Sequence, residues 1–293
     1  MALTNHSSNR IDRVLFVDTL VQRLGYDNNS KLVIIACDGL GSSNAANTAI
    51  KQATTAGIAS SARLQVPCAW AHGAASQHRG ADTGVSLTLN AQYELYRWGP
   101  ITHAPSLLGG QGGFPRTKTD LWEHADVDEV RRETRAQLER AVHWGITPSH
   151  LSSHLDILCG RPEFFDVYLD LAVEFNLPIS LPDPSIDLGF EARDLARQAS
   201  ILVPDHVASS PWGVESRPVL DATIANLKPG VTEIRVRPAT DSAELRAITP
   251  NWTAAVADAH LVTTDWTLRS ALARSDATVI GFNALERAQK TLS

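Results

Sequence analysis

The chain has 293 residues, 43% of them hydrophobic and 20% charged, with 26 Lys and Arg against 32 Asp and Glu, ten His and three Cys. A formal net charge of -6 with scattered basic residues argues against a phosphate-backbone binder, so no nucleic-acid partner is expected. No stretch approaches the roughly 18 apolar residues of a membrane span, and the opening MALTNHSSNRIDRV lacks a basic segment followed by an apolar one. Cys37, Cys68 and Cys159 are far apart and form no short metal motif, so a cytoplasmic protein with no membrane partner is expected.

Val14, Val17, Val21 and Leu24 recur at helical spacing, predicting a first helix closed by Gly25. LVIIAC (32–37) predicts a buried strand, Asp38 to Ser43 a loop at its carboxyl end, and Asn44 to Ala56 a helix ended by Gly57. Further strands are expected at 60–66, 83–89, 150–154, 178–182, 232–238 and 278–282. Helices are expected at 126–143, capped by Asp126 with Val127, Val130, Thr134, Leu138 and Val142 on one face. Others fall near 162–176, 191–199, 217–227, 241–247 and 265–274. Residues 93–122 carry five Gly and little periodicity, which predicts a long loop or lid. No repeat or linker interrupts this alternation. The expectation is α/β: one (β/α) barrel domain over 1–293, its site at the carboxyl ends of the strands.

Four groups of residues can carry chemistry. Asp38, after a buried strand and before a glycine turn, is either a general base aimed into the cleft or a cap for the next helix. His150 and His154, at i and i+4 of a strand, share one face, where they can bind a metal, move a proton or make structural hydrogen bonds. Tyr93, Tyr96, Arg97, Trp98 and His103 suit stacking on a sugar, or else fill the core beneath the lid. Arg235 and Arg237 alternate onto one face, and Arg237 can bind an anion or pair with Asp241.

These motifs resemble, over about Leu20 to Phe282, the YdjC-like (ChbG-like) carbohydrate deacetylases. VPCAWA (66–71), GVSLTLN (84–90), YRWGP (96–100), HLSSH (150–154) and GVTEIRVRPATDSAELRAITPNW (230–252) follow that family's order. The resemblance implies a distorted, TIM-like (β/α) barrel related to the polysaccharide deacetylases. It also implies a metal site of Asp and two His, a catalytic Asp beside the first ligand, and a His general acid in a His-Pro pair. The catalytic Asp matches Asp38 and one ligand matches His154. Gly39 stands for the ligand Asp, Ser86 for the other ligand His, Ser152 for an Asp two residues before His154, and Arg237 for the general acid.

Losing two of three ligands removes the charge and geometry that hold a divalent ion, and smaller residues enlarge the pocket. No cofactor is expected, with His154 the weak metal candidate that remains. The leading expectation is a repurposed, metal-independent acid/base enzyme acting on a small polar or sugar-like molecule through Asp38, His154 and Arg237. Tyr96, Arg97, Trp98, His103, His150, Ser86 and Ser152 are its expected binding residues. The alternatives are a non-catalytic binder of a carbohydrate-like ligand, and a metal-dependent deacetylase whose substitute ligands come from Asp82, His103 or Asp156. The resemblance is compatible with a homodimer; the sequence leaves the oligomeric state open.

Overall fold

A computed structural model describes residues 18–291. Among the described residues seven strands alternate with helices: β1 (Lys31–Leu40), β2 (Ser61–Leu64), β3 (Thr83–Leu87), β4 (Leu151–Ser153), β5 (His206–Ser209), β6 (Gly230–Val236) and β7 (Ala277–Val279). All pairings are parallel and the sheet order is β4-β3-β2-β1-β6-β5. β7 pairs with the first three residues of β1. The sheet curls into a half-barrel wrapped by helices, an α/β architecture in which crossover helices cover the outside of buried parallel strands. No described helix is long and apolar enough to cross a membrane.

Side-chain alternation divides the strands between two environments. Val33, Ile35 and Cys37 of β1 pack outward with Ala62 and Leu64 of β2 and Ile234 and Val236 of β6. Leu32, Ile34, Ala36 and Val231 instead face inward and form an apolar plug with Val21, Phe282 and Leu285. Continuing the inner set toward the carboxyl ends gives Asp38, Arg63, Gln65, Glu233, Arg235 and Arg237, so the barrel changes from apolar at one end to charged at the other.

Several expected elements differ in detail. The 178–182 strand shrinks to a single bridge between Leu151 and Ile179, because Pro178 and Pro182 have no N–H to give a ladder. Residues 38–40 continue β1 instead of forming a loop, but the register with β2 shifts between Asp38 and Leu40 and Gly39 adopts φ +95°. That bulge re-aims the strand end that carries Asp38. The described part of the first predicted helix is helical at Leu20–Arg23; Val14 and Val17 lie outside the described residues. The helix Val127–His143 begins at the expected cap Asp126, yet its Val142 is exposed while Glu133 and Gln137 are buried.

Those two buried polar residues pin the segment 93–122 and the strand end that leads into it. Glu133 accepts from the amides of Ile101 and Thr102 at 3.0 and 2.9 Å and from the Thr102 hydroxyl. Gln137 bonds both the N–H and the C=O of Thr88. With Trp98, Leu107 and Phe114 buried, the segment is a pinned wall of the fold, ending in the helix Lys118–His124.

Candidate active site

A buried network of charge fills the middle of the barrel. Glu233, fully buried, is bonded by Arg63 and by Arg235, the latter at 2.7 Å, and accepts the Ser180 hydroxyl at 2.7 Å. Burial opposes the charged carboxylate, but the two guanidinium groups and Ser180 overcome it and hold Glu233 down to about 2. Each arginine then reaches toward a second carboxylate. Arg63 donates to Asp38 at 3.0 Å, and Arg235 spans both oxygens of Asp156 at 3.0 and 3.3 Å. Burial alone would lower both arginines, but their carboxylate partners raise them above the ordinary arginine value. Removing one member of such a buried network strands the opposite charge.

Above this layer, at the carboxyl ends of the strands, lies a cavity of about 360 Å³. Its wall includes Asp38, Ser86, His154, Asp156, Arg237, Lys118, Gln65, Gln92, Tyr93 and Trp212. The bulge in β1 brings Asp38 to it, with 22% of that side chain exposed. Ser43, not Asp38, caps the helix Asn44–Thr55 by accepting from Ala46 N–H, and Glu244 receives the amides of Asn44 and Ala45. Asp156 enters from a kinked turn in which Leu155 and Asp156 take φ of 50° and 56°. Two successive non-glycine residues in that left-handed region cost of order 1 kcal/mol each, and the site meets this cost to present a carboxylate.

His154 is buried, and both ring nitrogens are engaged. Gln65 Nε2 donates to Nδ1 at 2.6 Å, and the Nε2 N–H donates to Gln92 Oε1 at 2.9 Å. Burial, reinforced by Arg237 and Lys118, lowers His154 from its ordinary value to about 4 despite Asp38 and Asp156 nearby. At neutral pH it is therefore a neutral, hydrogen-bonding imidazole. It cannot offer the imidazolium proton that the expected acid/base pair with Asp38 requires.

His150 and His154 flank the short strand β4 (Leu151–Ser153) instead of lying within one strand, and His150 sits deeper, in the charge network below the cavity. Its ring stacks on Phe282 at 3.7 Å, accepts from Arg63 Nε at 3.2 Å and contacts Ser149 at 3.0 Å. A Cβ at Gly84 would lie 2.3 Å from that ring, so glycine makes room for it. His150 is thus a structural member of the network. Ser152 is buried, and its hydroxyl has no hydrogen-bond partner among the described residues.

The expected aromatic wall divides. Tyr93 lines the cavity and packs near Trp212, whereas Tyr96 is turned away, its hydroxyl donating to Ser42 C=O at 2.7 Å. Trp98 is 5% exposed and donates to Asn90 C=O, so it supports Tyr93 from behind. Arg97 and His103 lie around a separate shallow depression, with Arg97 donating to Phe114 C=O. These four residues therefore do not touch the cavity. Arg237 does: its guanidinium lies over Trp212 at 5.2 Å and donates to Ser210 C=O at 3.0 Å. Its expected partner Asp241 pairs instead with Arg246.

Of the proposed substitute ligands, Asp82 sits at the opposite end of the strands, held by Ser61, Ser149 and the Asn283 amide, and His103 is exposed. Only Asp156 reaches the cavity, where Arg235 holds it. Among the described residues no group of three or more His, Cys, Asp or Glu is placed to hold a metal ion. Sequence reasoning missed Gln65, Gln92, Lys118 and Trp212, which come from separate segments. The polar alternation Ser61, Arg63, Gln65 in an otherwise apolar strand was the signal available for Gln65.

Residues 32–274 match the family described as YdjC-like protein. The chain is 31% identical over 245 residues to a carbohydrate deacetylase of Thermus thermophilus, covering 82% of this chain and 88% of that one. A carbohydrate deacetylase of Brevibacillus brevis is 32% identical over 154 residues, 51% of this chain and 59% of the relative. Among solved structures, a cellobiose-phosphate cleavage protein from Enterococcus faecalis superposes with a TM-score of 0.76 over 87% of this chain and 99% of its own, at 21% identity. That last likeness is one of fold.

Proposed function

Because the chain belongs to the YdjC-like protein family, we propose that it is a descendant of a carbohydrate deacetylase scaffold that works without the metal, using Asp38 as a base on a sugar-like molecule. The observation that carries this reading is the set of atoms offered to the cavity. Asp38 is bonded to Arg63, both nitrogens of His154 are bonded to glutamine amides, and Gly39 and Ser86 supply no charged donor. Arg63, Arg235, Arg237 and Lys118 line the same cavity, and Arg63 and Arg235 already pair with its carboxylates Asp38 and Asp156. A divalent ion needs anionic or free imidazole ligands, and this set does not fit one.

In the proposed chemistry, Arg63 fixes one oxygen of Asp38 while the carboxylate faces the cavity and takes a proton from bound substrate. Neutral His154, both nitrogens taken, holds the Gln65 and Gln92 amides at the cavity, where they position substrate. Trp212 and Tyr93 offer flat apolar faces to a sugar ring. The sugar-like substrate itself is inferred from the family and from this lining.

The test is to incubate EDTA-treated wild-type protein and D38N with a panel of N-acetylated and free mono- and disaccharides, following mass change and acetate release. We expect conversion by the wild type that EDTA does not affect, and a loss of about 10²-fold or more in D38N. Activity abolished by EDTA and restored by a divalent ion would overturn the proposal. A second reading, binding without turnover, is favoured by the pairing of both cavity carboxylates with arginines. It predicts sugar binding with no conversion and no dependence on Asp38.

A further inference from the structure

Asp82 lies at the amino ends of the strands, far from the cavity, yet a continuous line of hydrogen bonds joins it to Asp38. Its Oδ1 accepts the Ser61 and Ser149 hydroxyls at 2.8 and 2.7 Å, and its Oδ2 accepts the Asn283 amide at 2.7 Å. Ser149 Oγ also lies 3.0 Å from His150 Nδ1, and Arg63 Nε donates to His150 Nε2 at 3.2 Å. Arg63 Nη1 then donates to Asp38 at 3.0 Å. The two ends of this line dictate where its protons sit. Asp82 accepts, so the one hydroxyl proton of Ser149 points to it and an oxygen lone pair is left toward His150. Arg63 is always protonated and can only donate, so His150 Nε2 must be bare. Burial and the charge of Arg63 keep His150 neutral, and both demands place its single proton on Nδ1. Two glycines make room for the line: a Cβ at Gly84 would collide with the His150 ring, and one at Gly281 with Asp82 Oδ2.

From this line we infer that Asp82 is a positioning residue for Asp38, acting through Ser149, His150 and Arg63. This rests on Asp38 being the working base of the proposed function and adds what fixes its aim. Glu233 and Ser180 hold Arg63 at Nη2, and His150 holds it at Nε. Contacts on two edges of a rigid, planar guanidinium set its plane, which directs the remaining Nη1 at Asp38. Without Asp82 the Ser149 hydroxyl turns freely, and His150 can carry its proton on Nε2, where it meets the Arg63 N–H donor against donor. Arg63 then loses one of its two edges, and Asp38 loses a fixed partner. A merely structural cluster around Asp82 would need Ser61 as much as Ser149, because both hydroxyls reach the same oxygen.

The experiment is NMR of wild type, D82N, S149A and S61A labelled at the nitrogens of His and Arg. It reads the His150 tautomer and the coupling between Arg63 Nε and His150 Nε2 across their hydrogen bond. We expect the wild type to hold the His150 proton on Nδ1 and to show the coupling. The coupling should vanish in D82N and S149A and persist in S61A, with circular dichroism confirming that each variant is folded. In the saccharide turnover assay, D82N and S149A should lower kcat about tenfold or more while KM stays in place, because no cavity wall is changed. A wild-type His150 protonated on Nε2, a coupling that survives both D82N and S149A, or an equal loss in S61A overturns the inference. Turnover unchanged in D38N overturns the role of Asp38 instead, and leaves the pattern of couplings as it stands.

Discussion

An imidazole sealed from water and faced by Arg237 and Lys118 pays for any proton it takes, and His154 is held neutral down to about pH 4 for that reason. The unfolded chain protonates this residue near 6.5, so between those values unfolding takes up a proton that the native state does not hold. Stability therefore rises with pH from about 4 to 6.5 and is lost on acidification through that window, by roughly 3 kcal/mol from this residue. His150, whose burial and neighbour Arg63 push it well below the ordinary value, adds to the same slope. Urea denaturation at successive pH values measures it. In H154Q the slope should be shallower, and the same slope in both proteins would contradict the assignment. The sequence showed that His154 sits at the site, but not its protonation state, because Gln65 and Gln92 approach it from segments 89 and 62 residues away.

β6 shows how alternation turns one strand into both scaffold and site. Ile234 and Val236 pack outward under the helices, while Glu233, Arg235 and Arg237 follow one another inward from the network to the cavity. That pattern is legible in TEIRVRP, and the sequence reading placed Arg235 and Arg237 on one face. Their different fates were not legible, because they depend on Arg63 from β2, Ser180 from an extended segment and Asp156 from a left-handed turn. Glu233→Gln leaves Arg63 and Arg235 without their shared counter-charge. The expected cost is about 3–5 kcal/mol in chemical denaturation. A loss no larger than that of a surface substitution would mean that the network does not hold the barrel centre. The long segment 93–122 teaches the complementary lesson: its glycines and lack of periodicity were readable, but its fixed position comes from Glu133 of a helix, which accepts the Ile101 and Thr102 amides only once the fold brings them together. The helix Trp252–Thr263 escaped notice because its Ala-rich run has little contrast between faces.

Across the whole molecule, the expected barrel is present as a curled parallel sheet, with an apolar plug at the amino ends, paired charges in the middle and a cavity at the carboxyl ends. The barrel was readable as a serial match of motifs and the inward alternation in TEIRVRP, whereas the strand order comes from the structure. The cavity's chemistry depends on a few positions within that match: Gly39, Ser86, His154 and Arg237. The proposal that they no longer make a metal site concerns the molecule rather than any one side chain, since it depends on how Asp38, His154 and the four cations share one cavity. Calorimetric titration of Zn(II) into metal-free protein, for wild type, D38N and H154A, tests it most directly. The account predicts no stoichiometric binding at micromolar protein, and the same weak background in all three. One equivalent of Zn(II) bound tightly by the wild type and lost in D38N or H154A would contradict it.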